Sequence, residues 1–167
     1  VRSRGERLMR YAYKNGGLRP PVPPDQAAAE INRVRGKCEK HGDRKLPRML
    51  WMENRKKGSP FHETFVWDDS KAGPLYRDHQ ATLIILSVMI VEDGGADGDI
   101  TAPAFPSIAG TENRDRSYEP IDVAMASGEM REALLADVKQ RLKNIRNKYR
   151  NLTELASVWS AIDQAAG

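Results

Sequence analysis

Two histidines and two adjacent aspartates stand in one short stretch, SPFHETFVWDDSKAGPLYRDHQA, at residues 59–81. Imidazole and carboxylate groups are common zinc ligands and common partners in proton transfer, so this stretch is the first place to look for chemistry. The candidates are His62, Asp68, Asp69 and His79. Their gaps of six and ten residues match no standard zinc spacing, and the chain has neither an HExxH motif nor a CxxC pair. We therefore expect no metal ion here.

Catalysis by the same residues lacks the motifs that would support it. Ser59 and Ser70 are the nearest hydroxyl nucleophiles, and neither lies in a nucleophile elbow or a glycine loop. His79 falls four residues after Leu75 and four before Leu83, which places it beside core positions as a hydrogen-bonded structural histidine. The chain also has no Walker loop, GxGxxG fingerprint or kinase signature. We predict a non-enzymatic protein with no catalytic residue and no cofactor.

A structural interpretation accounts for more of this stretch. Phe61, Phe65 and Trp67 alternate along the chain, so one face of an extended segment can bury them. The two aspartates then fold an Asx-turn before a helix that begins near Pro74. An aspartate that satisfies free amide donors at a helix start contributes about 1 kcal/mol. The predicted structural residues are Phe61, Phe65, Trp67, Asp68, Asp69 and His79.

Patterns along the rest of the chain predict a mainly α fold with a small β-hairpin and an extended basic N-terminal arm. Asp25 is suited to cap the first helix, and Pro47 to stand in the first turn of the second. Extended pieces at 101–108 and 116–123, joined by a polar turn, predict the hairpin. The predicted helices span residues 25–42, 47–57, 75–91, 128–150 and 151–165.

The third of these helices rests on an apolar face that recurs at spacings of three and four residues. The members of that face are Leu75, His79, Leu83, Leu86 and Ile90. Part of the same stretch, ATLIILSVMIV, is rich in β-branched residues and is also compatible with a buried strand, because periodicity alone does not separate the two. The lack of a turn signal within the stretch favours the helix.

The C-terminal part carries the strongest helical pattern. Ser127 is a suitable N-cap for the long amphipathic helix, whose basic residues gather toward the end that the helix dipole makes negative. The predicted apolar face of this helix consists of Leu134, Leu135, Val138, Leu142, Ile145 and Tyr149. The predicted inward residues of the last helix are Leu155, Val158, Trp159 and Ile162.

The N-terminal arm is predicted over residues 1–24, followed by a single mostly helical domain over 25–167. Four prolines in the arm's RPPVPP sequence favour an extended conformation. Charge is segregated: residues 1–58 carry 16 Lys and Arg against 6 Asp and Glu, whereas residues 59–128 carry 4 against 12. A basic front beside an acidic middle fits either a polyanion such as nucleic acid or pairing between the two regions.

The stretch at residues 59–81, with the apolar run behind it, resembles a segment of small uncharacterised proteins of tailed bacteriophages and prophages. The shared features are the S-P-x-H…W-D-D…Y-R…Q-A residues, and the order of parts along the chain is also similar. This sequence departs from the usual pattern at Gly73-Pro74, where plain helix formers would be expected. The resemblance implies a phage-encoded protein in the cytoplasm of the bacterial host or in the virion, and it implies no activity.

Two functions fit these observations. The first is contact with double-stranded DNA through the basic N-terminal region, by phosphate contacts that are sequence-tolerant and salt-dependent. The second is a virion or assembly role, in which the arm packs on neighbouring subunits, either other phage proteins or copies of the same chain. No apolar run approaches the roughly 18 residues of a membrane span, so no membrane partner is expected. The predicted DNA contacts are Arg2, Arg4, Arg7, Arg10, Arg33, Arg35, Lys37, Arg44, Lys45, Arg55, Lys56 and Lys57.

Overall fold

The computed structural model of the chain describes residues 10–41, 45–92, 99–109 and 116–166. The fold is mainly α with small β elements, which confirms the predicted fold class. The chain divides into two compact units. Unit 1 comprises Val1–Pro106 and Tyr118–Ile121, and unit 2 comprises Ser107–Ser117 and Asp122–Gly167.

This division differs from the predicted single domain over residues 25–167. The physical reason lies in the hydrophobic core. All the residues of the buried cluster belong to unit 1, whereas the long helix of unit 2 has no buried residue. Amphipathic patterns occur in both units, but a sequence pattern does not show which apolar faces meet.

Unit 1 is built from helices α1, α2 and α3 and a three-stranded antiparallel sheet in the order β1-β2-β3. Alanine and branched aliphatic residues of α1 lie in the core together with Met49 and Leu50 of α2. The second helix ends at Glu53, earlier than the predicted end at residue 57. The element bounds are Pro24–His41 for α1, Leu46–Glu53 for α2, Pro74–Ser87 for α3, Arg10–Tyr13 for β1, Val88–Glu92 for β2 and Ile100–Pro103 for β3.

The prediction of one helix through residue 91 is wrong beyond Ser87. From Val88 the chain is a strand, and it forms the centre of the sheet, with Tyr11 opposite Ile90 on one side and Ala102 opposite Ile90 on the other. β-branched residues favour this extended conformation. The two partner strands come from distant parts of the chain, so the periodicity of the stretch could not show them.

Part of the predicted N-terminal arm is folded onto unit 1. Residues 10–13 form β1, and the Tyr13 hydroxyl donates a hydrogen bond of 2.7 Å to the carbonyl oxygen of Val22. Tyr11, Tyr13, Leu18 and Val22 all pack against the core. The prediction of an extended arm over 1–24 therefore does not describe residues 10–24, because their apolar side chains are used in the core. Residues 1–9 lie outside the described residues.

Helix α3 turns a different face to the core from the one predicted. Leu75 is 79% exposed, and Leu83 and Leu86 are also exposed; of the predicted face, only Ile90, now in β2, is buried. The buried residues of α3 are Arg77, Gln80, Ala81, Ile84, Ile85 and Ser87. Two of them are long and polar, and the apolar periodicity therefore pointed to the wrong side of the helix.

The remaining described elements include two short strands and three helices. β4 and β5 form a two-stranded sheet, which confirms part of the predicted hairpin; the residues before β4 pair with β2 instead, and α4 replaces the end of the second extended piece. Met130 N–H donates to Ser127 Oγ at 3.3 Å, so the predicted N-cap of α5 is confirmed. The bounds are Ser107–Ala109 for β4, Arg116–Tyr118 for β5, Ile121–Ala126 for α4, Gly128–Tyr149 for α5 and Ala156–Ala166 for α6.

The predicted apolar face of α5 is largely open to solvent. Leu135 is 54% exposed and Val138 is 49% exposed, and no residue of this helix is buried. In the last helical segment, Ile162 is buried as predicted, whereas Leu155 and Val158 are exposed. The amphipathic pattern located these helices correctly, but the apolar stripe of α5 is not a core face within the described chain.

Substitutions on the two sides of α3 should separate its actual core face from the predicted one. Ile85→Ala removes a fully buried side chain and should lower the free energy of unfolding by about 2–5 kcal/mol. Leu75→Ala removes an exposed side chain and should change the same quantity by less than about 0.5 kcal/mol. Urea denaturation measures both values, and equal losses would show that the two faces are packed alike.

Candidate functional site

The segment between α2 and α3 has little regular structure, apart from a 3₁₀ turn at His62–Thr64. Several of its residues are nevertheless buried, and buried backbone polar groups need hydrogen-bond partners. Backbone turns within the segment supply some of them, and three buried polar side chains supply others. These are Asn54, which follows α2, and Arg77 and Gln80, which lie on the inward face of α3.

Asn54 ties the start of the segment to α1 and α2. Its Nδ2 group donates to Glu30 Oε1 and to the carbonyl oxygen of Leu50, both at 2.9 Å. Its Oδ1 atom accepts a hydrogen bond of 3.0 Å from the backbone N–H of Phe61. Asn54 is fully buried, so both ends of its amide are satisfied by groups that have no access to water as an alternative.

Arg77 and Gln80 hold the later part of the segment against α3. Arg77 Nη1 donates to the carbonyl oxygens of Val66 at 3.1 Å and Ala72 at 3.0 Å. Gln80 Nε2 donates to the carbonyl oxygen of Thr64 at 3.0 Å, and Gln80 Oε1 accepts from the N–H of Val66 at 3.3 Å. These bonds replace the ladder that a helix or strand would provide, so the loop has a defined shape.

Two tryptophans meet around the Arg77 guanidinium. Its central carbon lies 5.0 Å from the ring centroid of Trp51 and 5.8 Å from that of Trp67, which is cation–π distance for both rings. The His62 ring stacks on Trp67 with centroids 5.1 Å apart. Both indole N–H groups already have acceptors, since Trp51 donates to Asp78 at 2.7 Å and Trp67 donates to the His62 carbonyl oxygen at 2.9 Å.

These side chains line an open cavity of about 530 Å³, which we call the tryptophan cavity. Its charge is mainly positive, because Arg55, Lys57 and Arg77 contribute cations and Asp69 contributes a carboxylate that already accepts a 2.7 Å bond from Arg77 Nη2. The lining residues are Trp51, Arg55, Lys57, His62, Trp67, Asp69 and Arg77. The combination of indole surfaces and cations suits a ligand that is both aromatic and anionic.

Of the two aspartates predicted to fold an Asx-turn, Asp68 does so, whereas Asp69 pairs with Arg77. Asp68 Oδ1 accepts hydrogen bonds from the N–H of Ser70 at 3.0 Å and from its hydroxyl at 2.6 Å, which is an Asx-turn. The hydroxyl bond, which is the larger influence, and the amide bond hold the pKa of the Asp68 carboxyl below its usual value. Helix α3 begins at Pro74, as expected from the conflict that an earlier start would create.

The structure reverses the expectation for His79 and gives His62 a buried position that was not predicted. His79 is exposed, so the prediction of a structural core histidine is wrong, because its side of α3 faces solvent. His62 is the buried one, and its Nδ1 lies 3.3 Å from the carbonyl oxygen of Asn54. Sequence reasoning also missed Trp51, Arg77 and Asn54 as parts of the site. The only signal for Arg77 in the sequence was its position as a charged residue in a helix that was predicted to be buried.

The aromatic residues are used much as expected, but in a different conformation. Phe61 and Phe65 are buried and Trp67 is half-buried. The 3₁₀ turn at His62–Thr64 lies between the two phenylalanines, so they are not brought together by the alternation of an extended segment. Phe65 instead meets Trp67 edge to face, with ring centroids 5.6 Å apart.

Four of the eight predicted DNA-contacting residues that the structure describes form the following ion pairs. The pairs are Arg10 with Asp99 at 2.6 Å, Arg33 with Glu30 at 2.7 Å, Arg35 with Glu119 at 3.0 Å, and Lys37 with Glu53. The hydrogen bond from Lys37 is the main reason why the pKa of the Glu53 carboxyl lies below its usual value. Lys45 is exposed just before α2. Four others lie outside the described residues: Arg2, Arg4, Arg7 and Arg44.

Three consecutive basic residues differ from this group. Arg55, Lys56 and Lys57 follow the end of α2 and are all exposed. In the part of the chain that the structure describes, no hydrogen bond or ion pair engages their side chains. Gly58 turns the chain directly after them with a φ of +84°, a conformation that glycine adopts without strain. We call Arg55, Lys56 and Lys57 the basic loop; two of its members line the tryptophan cavity.

The same ranges give no sign of a metal centre or a membrane span. Among the described residues, no three side chains of the His, Cys, Asp and Glu types are placed to hold a metal ion. None of the described helices is long and apolar enough to span a membrane. Comparisons with protein families, with curated proteins and with solved structures give no match. The resemblance to bacteriophage proteins therefore stays a prediction.

Replacing Asn54 tests whether it anchors the segment. Asn54→Ala leaves the Phe61 N–H and the Glu30 carboxylate without this partner. Each buried group left unsatisfied costs about 1–3 kcal/mol, so the free energy of unfolding should fall by about 2–5 kcal/mol. Asn32→Ala on the half-buried side of α1 is the matched control and should change it by less than about 0.5 kcal/mol. Similar losses in the two variants, measured by urea denaturation, would contradict the anchoring role.

Proposed function

We propose that this chain is a non-enzymatic, phage-encoded protein that contacts DNA through its basic N-terminal region, in the host cytoplasm or the virion. The observation that carries the proposal is the basic loop: three exposed, consecutive cations that the described chain does not use for its own ion pairs. Such cations gain affinity for a phosphate backbone by releasing its counterions. The contact is therefore sequence-tolerant.

The ion pairs of unit 1 narrow the predicted DNA surface. Arg33 and Lys37 both bridge Glu53, and Arg35 bridges Glu119, so phosphate would have to compete with carboxylates that are already in place. Breaking such a pair to make another one brings little net gain. The basic loop has no ion pair to break before it binds a phosphate, so we assign it the principal phosphate contacts.

A role in assembly is the second candidate, and an exposed apolar seam on α5 favours it. The residues of this α5 seam repeat at spacings of three, four, three and four, which is the a and d pattern of a coiled coil. They are Leu135, Val138, Leu142, Ile145 and Tyr149. Since no residue of α5 is buried, the seam is available to another helix, as exposed apolar stripes at interaction sites are.

The charges beside the α5 seam argue for a particular partner. The four flanking positions, e and g of the heptads, are all basic: Lys139, Arg141, Arg146 and Lys148. Two copies of α5 would place like charges opposite each other, which disfavours pairing of the chain with itself. Arg141 and Arg146 also form ion pairs within the chain, at 2.6 Å and 2.8 Å. The partner that fits is a helix of another protein with acidic flanks.

The assembly role does not require the arm as first predicted. Residues 10–13 are paired with β2 in the sheet of unit 1, so this part of the arm is not free to lie along a neighbouring subunit. The α5 seam, and not the N-terminal arm, is therefore the structural feature that favours an assembly role.

Binding to a duplex of arbitrary sequence tests the first candidate. We expect fluorescence anisotropy to show binding that weakens steeply between about 50 and 200 mM salt. Changing Arg55, Lys56 and Lys57 together to Gln should weaken binding and reduce the slope of log K against log [salt] by about 0.9 for each phosphate that the variant no longer neutralises. The matched control changes Lys139, Lys143 and Lys148 to Gln, which alters the net charge equally and should leave most of the affinity. Absence of binding at micromolar protein, or equal losses in the two variants, would reject the assignment.

The second candidate is tested with a designed helical peptide that has Leu at its a and d positions and Glu at its e and g positions. It should bind at least about tenfold more tightly than the same peptide with Lys at e and g. Val138→Asp places a charge in the seam and should abolish binding, whereas Gln140→Asp on the other side of α5 should not. Light scattering should show a monomer in the absence of peptide. Binding of both peptides alike, or a stable homodimer, would contradict the charge argument.

A further inference from the structure

We propose that the tryptophan cavity binds one unpaired nucleotide, so that the protein holds nucleic acid where a strand is single rather than fully duplex. This inference rests on the proposed contact with DNA and specifies the form of the nucleic acid. It follows from the cavity's size, its walls, its charge and its position beside the basic loop.

The size of the cavity suits a nucleotide. Its volume of about 530 Å³ lies within the roughly 300–1,000 Å³ range of typical small-molecule sites. It is open to solvent, and Arg55 and Lys57, which line it, are both exposed. A base at the end of a strand can therefore enter while the neighbouring phosphates stay outside.

The walls suit a base without selecting which one. Because the indole N–H groups of Trp51 and Trp67 are already bonded within the protein, the parts of the indoles that line the cavity offer ring surface and not hydrogen-bond donors. His62 already covers one part of Trp67 by stacking on it. Stacking of a base on such surfaces is sequence-tolerant, since every base has an aromatic face. The Arg77 guanidinium lies against the same rings and adds positive charge to this wall of the cavity.

The charges suit a phosphate. Arg55 and Lys57 stand at the opening without ion pairs in the described chain, so they are available to an anion. The carboxylate of Asp69 in the lining is held by Arg77 Nη2. Arg77 is only 5% exposed and its Nε is fully covered, so its guanidinium adds positive charge to the cavity wall, and the loop cations make the direct contacts with phosphate. Loop cations and buried rings together match a phosphate joined to a base.

The experiment uses the full chain with Trp159→Phe, which removes the α6 indole from the fluorescence signal and leaves the emission of Trp51 and Trp67. The ligands are a single-stranded deoxythymidine decamer, a duplex of the same length, an abasic single strand with the same phosphates, thymidine monophosphate and inorganic phosphate. We expect the decamer to quench the emission and to bind about 5- to 150-fold more tightly than the abasic strand, which is the range for one stacked base.

The duplex should bind without quenching, because its bases stay stacked and paired. Changing Arg55 and Lys57 to Gln, both exposed, should weaken binding of the decamer without unfolding the protein, and circular dichroism checks the fold. Equal affinity for the decamer, the duplex and the abasic strand would overturn the inference while leaving DNA contact standing. Binding of no nucleic acid would reject DNA contact itself.

The remaining two ligands identify the source of the nucleotide. Quenching by thymidine monophosphate at micromolar concentration, with no binding of the decamer, would support a nucleotide site and overturn a nucleic-acid strand as its source. Equal binding of inorganic phosphate and thymidine monophosphate would show that the rings contribute nothing, which overturns the inference.

Discussion

The fold of unit 1 depends on satisfying the backbone of an irregular buried segment. Between α2 and α3 the chain forms only one short 3₁₀ turn, so its peptide groups cannot bond in a ladder of their own. Turns within the segment satisfy some of these groups, and Asn54, Arg77 and Gln80 supply partners for others, from positions at the end of α2 and along α3. Without them the buried amides and carbonyls would each cost as much as a missing hydrogen bond. Polar side chains therefore occupy the inner side of α3, where apolar ones would otherwise be expected.

The same constraint produces the tryptophan cavity. Arg77 is buried to reach the carbonyl oxygens of Val66 and Ala72, and its charge then needs compensation. The carboxylate of Asp69 and the faces of Trp51 and Trp67 provide it. A guanidinium fixed between two indoles, next to exposed cations, is thus a consequence of how the loop is held. Arg77 therefore contributes both to the stability of the loop and to the candidate binding surface.

Charge segregation along the sequence has two consequences in the structure. Arg10 with Asp99, Arg35 with Glu119 and Arg48 with Asp78 each join the basic front to the acidic middle within unit 1. Internal pairing therefore accounts for much of the described basic surface. Arg55, Lys56 and Lys57 are exceptions, since they are exposed and no ion pair among the described residues engages them. The sequence does not give the distances between side chains that separate the paired basic residues from the unpaired ones.

The sequence by itself determined the features that local physics controls. The amphipathic pattern located α1 and α5, Ser127 marked the start of α5, the proline geometry placed the start of α3, and Asp68 specified its turn, because each depends on residues a few positions apart. Asp25, the predicted N-cap of α1, instead lies in the first turn, because the helix begins at Pro24. The tertiary structure alone decided that Val88 begins a strand, that His62 is buried while His79 is exposed, and that Trp51 meets Trp67. Those outcomes depend on partners far along the chain and on a buried arginine whose role is to bind backbone. Hydrophobic periodicity carries no information about either.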